Sequence, residues 1–315
     1  MTERASSDDD AWTMFGLARR SRGRTKTVRA VTVVSLVAVA VATTTSCSED
    51  AVPRPATRYS EGLSVTVVQQ RIDEGTRRIG IRVGTGPDMS LHVRGVQLES
   101  PAFEPVPTTD KDTEFAPRQS IDLTTTYGDP RCGENPVEGL AANVVVQDRD
   151  GERTVEVPVT GSGIGLVRRL HTSECASQAL RRAAPASFAG QFSRDAVAGV
   201  QVLIGALELR RPVTGGSRAV VVVDSLAGSV LFDFAVLRQP APGPVARLEP
   251  SSDRLRLPVL IGSNGRCDQH ARSQSTQTFL FSAYVRVDGS AQHREILVPP
   301  PALQRQALAL LDDVC

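Results

Sequence analysis

Lysine is nearly missing from this sequence: 36 residues are basic, yet lysine stands only at Lys26 and Lys111. The formal net charge is +1, so no bulk field draws in nucleic acid or an acidic surface, and no nucleic-acid partner is expected. Aromatic residues make up 4% of the chain, and the one tryptophan, Trp12, precedes any domain that can be delineated. Flat stacking platforms for sugars or single strands are therefore poorly supplied. Histidine occurs at His92, His171, His270 and His293 only, with no pair at metal-ligand spacing. No metal or cofactor site is expected from so sparse a set.

What the sequence does hold is the material of a folded body. Apolar residues reach 40% and charged residues 23%, an ordinary balance for a globular chain. The length suits two domains. Arginine in place of lysine, with much Ala, Val, Gly and Pro, suggests a GC-rich bacterial genome.

The N-terminal segment bears on the compartment. Arg19, Arg20, Arg22, Arg24, Lys26 and Arg29 precede an uncharged run from Ala30 to Ser48, which Glu49 and Asp50 close. As a helix that run would reach about 28 Å, against a hydrocarbon core of about 30 Å. The basic flank puts the N-terminus in the cytoplasm and everything after Asp50 outside. Three fates compete: an uncleaved anchor, a signal peptide cleaved near Ser46, and a lipoprotein signal. "TTSC" at 44–47 resembles a bacterial lipobox in its small residue before Cys47, the lipid-anchor candidate, and departs from one at Thr44. Translation from Met14 would shorten the basic lead. A membrane contact through this segment is expected in the anchored and acylated cases.

Setting Cys47 aside leaves Cys132, Cys175, Cys267 and Cys315, an even number in an oxidising compartment. "YGDPRC" (127–132) and "GSNGRC" (262–267) match in their Arg-Cys ending, and the match extends outwards in order. Residues 77–100 line up with 217–240, 143–159 with 281–299, and "LVRRLHTSEC" (166–175) with "LQRQALALLDDVC" (303–315). The chain reads as a tandem duplication. A copy able to fold alone would own its own bridge, so Cys132 is paired with Cys175 and Cys267 with Cys315. These pairs close spans of 43 and 48 residues. Each closure would stabilise its domain by about 4 kcal/mol in the chain-entropy model.

Short β-branched segments bounded by Gly, Pro, Asp and Asn predict strands near 63–70, 78–83, 90–98, 119–125, 141–148 and 152–159 in the first copy. In the second they fall near 201–209, 218–224, 229–237, 254–260, 278–287 and 292–298. Asp150-Gly151 and Asp288-Gly289 supply hairpin turns. Short helices are predicted over 164–171 and 301–312. The fold class is mainly β: a tandem immunoglobulin-like β-sandwich with a short C-terminal helix per copy, behind one N-terminal transmembrane or signal helix. The expected organisation is a basic tail over 1–29, the anchor or signal segment over 30–48 and a linker over 49–62. Repeat 1 then spans 63–175, an interdomain linker 176–199, and repeat 2 200–315.

Motifs for chemistry are thin. "GSGIG" (161–165) lacks the lysine that a phosphate loop needs, and Ser162 is out of place for a nucleophile elbow, so a flexible turn is the better reading. "DRDGE" (148–152) has too few oxygens for a calcium loop and reads as a hairpin turn. Arg131 and Arg266, one beside each cystine, are the most interesting polar residues. Their functional reading is a paired anion or carboxylate contact, one per copy. Their structural reading, which is favoured, is an ion pair with Glu174 in one copy and with Asp312 or Asp313 in the other. The polar stretch 108–117 is a further candidate for contact. The leading expectation is thus a non-catalytic binding module of the bacterial envelope, with an envelope protein or wall component as partner. An extracytoplasmic hydrolase with a non-local site and a structural accessory subunit of a membrane complex are the alternatives.

Overall fold

The computed structural model describes residues 62–149, 151–238 and 243–315. The expected anchor at 30–48, Cys47 and Asp150 lie outside them. No helix among the described residues is long and apolar enough to cross a membrane.

The chain first runs through β1 (Leu63–Val68), β2 (Arg78–Thr85), β3 (Leu91–Glu99), β4 (Thr109–Phe115), β5 (Ser120–Thr126), β6 (Ala141–Asp148) and β7 (Gly151–Pro158). Helix α1 (Ser162–Ala183) follows. Then come β8 (Ala186–Val197), β9 (Val200–Arg210), β10 (Val221–Ala227), β11 (Phe232–Val236), β12 (Ala246–Leu248) and β13 (Arg254–Ser263). A short α2 (Gln269–Gln274), β14 (Phe281–Val287), β15 (His293–Leu297) and α3 (Pro301–Val314) complete it. The protein is mainly β, with four antiparallel sheets.

Alternation decides which face of each strand is buried. In β13 the leucines Leu255 and Leu257 continue into Val259 and Ile261 on the inner face, while Arg254 and Arg256 point outwards. In the first half, β1-β2-β5 and β4-β3-β6-β7 share one core. Val65, Ile81 and Val83 of one sheet meet Val93, Val144 and Val157 of the other. In the second half, β8-β9-β13-β11 and β12-β10-β14-β15 share another, centred on Leu207, Phe232, Ile261 and Phe281. Asp288 and Gly289 both take positive φ, 48° and 73°, so the β14–β15 hairpin has the left-handed turn that its sequence predicts.

The strand orders correspond closely. β2 lies between β1 and β5 as β9 lies between β8 and β13, and β3 lies between β4 and β6 as β10 lies between β12 and β14. A lone bridge from Phe103 to Pro130 stands where β11 pairs with β13. Residues 77–100 (β2, β3) therefore answer to 200–227 (β9, β10) rather than to 217–240: the sequence alignment is one strand out of step in its front part. Strands β2 and β10 are equally Val/Ile-rich, so composition alone does not separate them.

The stretch 176–199, expected as a linker, is regular structure. Its first part continues α1 through to Ala183, and its second part is β8, the first strand of the second half. Phe188 and Phe192 accordingly pack into the second core, close to Phe234 and Phe281. Helix α1, about 33 Å long at 1.5 Å per residue, belongs to both halves. Val167 is buried in the first core, while Leu180 and Ala183 are buried in the second. "GSGIG" is its N-cap and first turn. Gly163 lies so close to β1 that a Cβ there would stand 2.5 Å from the Val67 backbone nitrogen, and its own N–H donates to Thr66 Oγ1 at 3.1 Å.

The two disulfides are Cys132–Cys175, with Cα atoms 5.6 Å apart, and Cys267–Cys315, at 5.3 Å. Both point to folding in an oxidising compartment. Cys315 ties down the end of α3. Cys175 does something different, because it sits inside α1 with two further turns of helix after it.

Candidate functional site

One face of α1 presents Leu170, Ser173, Glu174, Ser177 and Arg181, at helical spacing, to a cleft of about 380 Å³. Its other walls are the β1–β2 connection (Gln69, Glu74 to Arg77), Tyr127 just after β5, and Arg294 to Ile296 of β15. The cleft thus lies where the first half, the shared helix and the second half meet. Two further bonds span the halves directly, Gln277 Nε2 donating to the Arg71 carbonyl at 2.9 Å and Arg294 reaching Glu74 at 3.4 Å, while Ser177 Oγ of the shared helix donates to Glu295.

The polar groups of the cleft are ordered by one another. Glu174 accepts from the Tyr127 hydroxyl at 3.2 Å and from Arg77 at 3.1 Å, and Arg77 also holds Asp129. Tyr127 is almost fully buried. Burial pushes its phenol well above the usual tyrosine range, and the Glu174 carboxylate adds to the rise. It is therefore a fixed donor at physiological pH. Ser177 and His293 both approach Glu295, but in an order that does not activate the serine. The hydroxyl donates to the carboxylate, and His293 Nε2 stands 3.6 Å from the same carboxylate oxygen. A nucleophile of the Ser-His-acid kind needs the imidazole between the two. Chemically the cleft offers fixed hydrogen-bond donors and acceptors with cations at its rim: Arg77, Arg181 and Arg294.

The expected partners of the two cystine arginines are corrected. Arg131 donates to both carboxylate oxygens of Glu104, at 2.9 and 2.8 Å, and not to Glu174; this hydrogen bond lowers the Glu104 pKa. Successive helical residues diverge by about 100°, so when Cys175 faces Cys132, Glu174 is turned towards Arg77 and Tyr127. Arg266 is exposed and has no ion pair among the described residues. Asp312 pairs with Arg272, and Asp313 with Arg194. The structure does not bring Arg131 and Arg266 together as a pair of contacts.

The remaining singled-out residues fall in separate places. His171 is buried beneath the first cystine, 3.2 Å from the Arg131 carbonyl and edge-on to Phe103. His92 pairs with Asp112 on the outer side of β3 and β4, and His270 lies on α2. Among the described residues, no three of His, Cys, Asp and Glu gather as a metal site would need. Residues 109–115, within the polar stretch 108–117 named as a candidate for contact, form β4, an edge strand whose charges discourage further pairing. Asp148 and Gly151 close the β6–β7 hairpin as "DRDGE" predicts.

The cleft residues Arg77, Tyr127 and Ser177 were not singled out by sequence, and Glu174 was named only as a partner for Arg131. The signal was present in the 170-173-174-177-181 spacing, but it emerges only once the helix is carried past Cys175. No protein-family model matches this sequence, and a comparison with curated proteins finds no relative.

Proposed function

We propose that this protein is a non-catalytic binding module of the bacterial cell envelope, held near the membrane by its N-terminal segment. In this reading its body is a tandem duplication of an immunoglobulin-like sandwich. The strand orders support it: lettered A to G along the first half, one sheet runs A-B-E and the other D-C-F-G, and the second half follows the same path with one added edge strand. The two disulfides, one per half and each from a loop after strand E or its counterpart β13 to a terminal helix, support both the duplication and an extracytoplasmic body.

The observation that carries the function is the cleft on α1. Its helix is built into two cores at once and stapled at Cys175, so the groups facing the cleft are held by two rigid bodies. Preorganised polar groups of mixed charge suit recognition of a polar segment of a partner protein or wall component, because little side-chain ordering is left to be lost on binding. The test places a photo-crosslinking residue at Ser173, and in parallel at exposed Arg305 on α3, in protein expressed in its own envelope. A discrete adduct is expected at 173 that is absent at 305 and is lost in Arg77→Ala. Equal labelling at both positions would refute the cleft as the binding surface.

A further inference from the structure

The end of the β9–β13 pairing carries an arrangement that stability alone does not explain. Arg210 closes β9 and Arg254 opens β13, and the two are direct partners in the antiparallel register. They share the outer face, since their neighbours Leu209 and Leu255 turn inwards. Both are exposed, and neither has an ion pair among the described residues. One step along the same face the pairing is complementary, with Glu208 opposite Arg256. Like charges directly opposite on neighbouring strands are destabilising, so the sheet ends on a mismatch.

Two more arginines surround that mismatch. Arg211 is buried, and its guanidinium donates to five backbone carbonyls, those of Ala183, Ser217, Ala219, Glu249 and Ser252. Its hydrogen bonds are satisfied, but no carboxylate among the described residues meets its charge. It is a fixed positive charge beneath the surface, and it pins the two loops that frame the concavity. Arg218 stands on one of those loops and bonds Asp253 at 2.6 Å. Together Arg210, Arg211, Arg218 and Arg254 line a concavity of about 670 Å³ in which Asp253 is the single acid among the described residues. Val213, 95% exposed, tips the adjoining loop.

We infer that this concavity is an anion site, in which Arg210 and Arg254 grip the oxygens of a phosphate group and Arg218 is released from Asp253 to join them. The planar fork of arginine suits a phosphate oxyanion, which a pair of converging forks can hold from two sides. The site is separate from the cleft on α1: the two share no lining residue. The phosphate can come from an anionic lipid headgroup or from a phosphorylated non-lipid ligand, and both present the same chemistry.

The full chain is titrated calorimetrically with inorganic phosphate, exchanged for chloride at constant ionic strength. Saturable binding is expected, weakened about tenfold or more in Arg210→Ala/Arg254→Ala through loss of charge-assisted bonds. The same variant is expected to melt at least as high as wild type without phosphate, because the like-charge contact is relieved; a merely structural pair would melt lower. Arg254→Glu, which sets a carboxylate opposite Arg210, guards against misfolding and is expected to abolish binding. Flotation with vesicles of phosphatidylcholine and phosphatidylglycerol separates the sources. The basic N-terminal segment is common to all variants, so weaker flotation of the double variant assigns a lipid headgroup. Unchanged flotation with lost phosphate binding assigns a non-lipid phosphate. Heat from phosphate no greater than from chloride, or equal phosphate affinity in wild type and variants, overturns the site.

Discussion

Arg211 is the residue on which the end of the β9–β13 pairing depends. Five carbonyls from three separate stretches of chain converge on one guanidinium. Arginine is required because its planar fork carries five donors, whereas lysine has three on a single atom. Arg211→Ala would leave those carbonyls short of donors in a buried setting, at about 1–3 kcal/mol for each that finds no water. A loss of at least about 3 kcal/mol is expected in urea unfolding, and Arg211→Lys is expected to recover less than half of it. None of this is visible in the sequence, where "RRPVTGGSR" reads as a charged turn. A buried cation satisfied by backbone carbonyls leaves no partner residue to find. The same limit explains Arg131: proximity to a cystine was legible, but not which acid the fold would turn towards it.

At the scale of the element, α1 sets two rules against each other. Alanine is favoured over glycine inside a helix by about 1 kcal/mol. At Gly165 nothing opposes that gain, since a Cβ would meet only the Arg169 guanidinium at 3.6 Å. At Gly163 the added methyl would strike the backbone of β1. Gly165→Ala is therefore expected to stabilise the protein by about 0.5–1 kcal/mol. Gly163→Ala is expected to destabilise it by about 1–3 kcal/mol, both read from denaturant midpoints at unchanged m-value. Strands with clean alternation, β13 above all, were legible because one face is buried. β4 was not, since "TDKDTEF" is a solvated edge strand with no apolar stripe until Phe115. Nor was the second half of α1, where "ASQALRRAA" offers small residues and only Leu180 as a strong anchor. Small residues there let the helix lie close to its neighbours, which makes them look like a linker when read alone.

For the whole molecule, the mainly β character and both cystine pairs were legible, and the joint between the two halves was not. The cysteines, the Arg-Cys signature and the hairpins report each half separately. The joint is a long-range matter: Val167 enters one core, Leu180 the other, and Ser177 bonds Glu295 more than a hundred residues on. With α1 shared, the described residues from Gly62 to Cys315 form one compact unit, and the cleft exists because of it. A sandwich pair joined by a free linker would hold no such surface. Hydrogen exchange along α1 tests this most directly. A helix shared by both cores exchanges slowly and without a break from Val167 through Cys175 to Ala183, with residues 176–183 protected to the same degree as the first turns. Rapid exchange beginning after Cys175, with protection resuming only in β8, would contradict it and return 176–183 to the status of a linker.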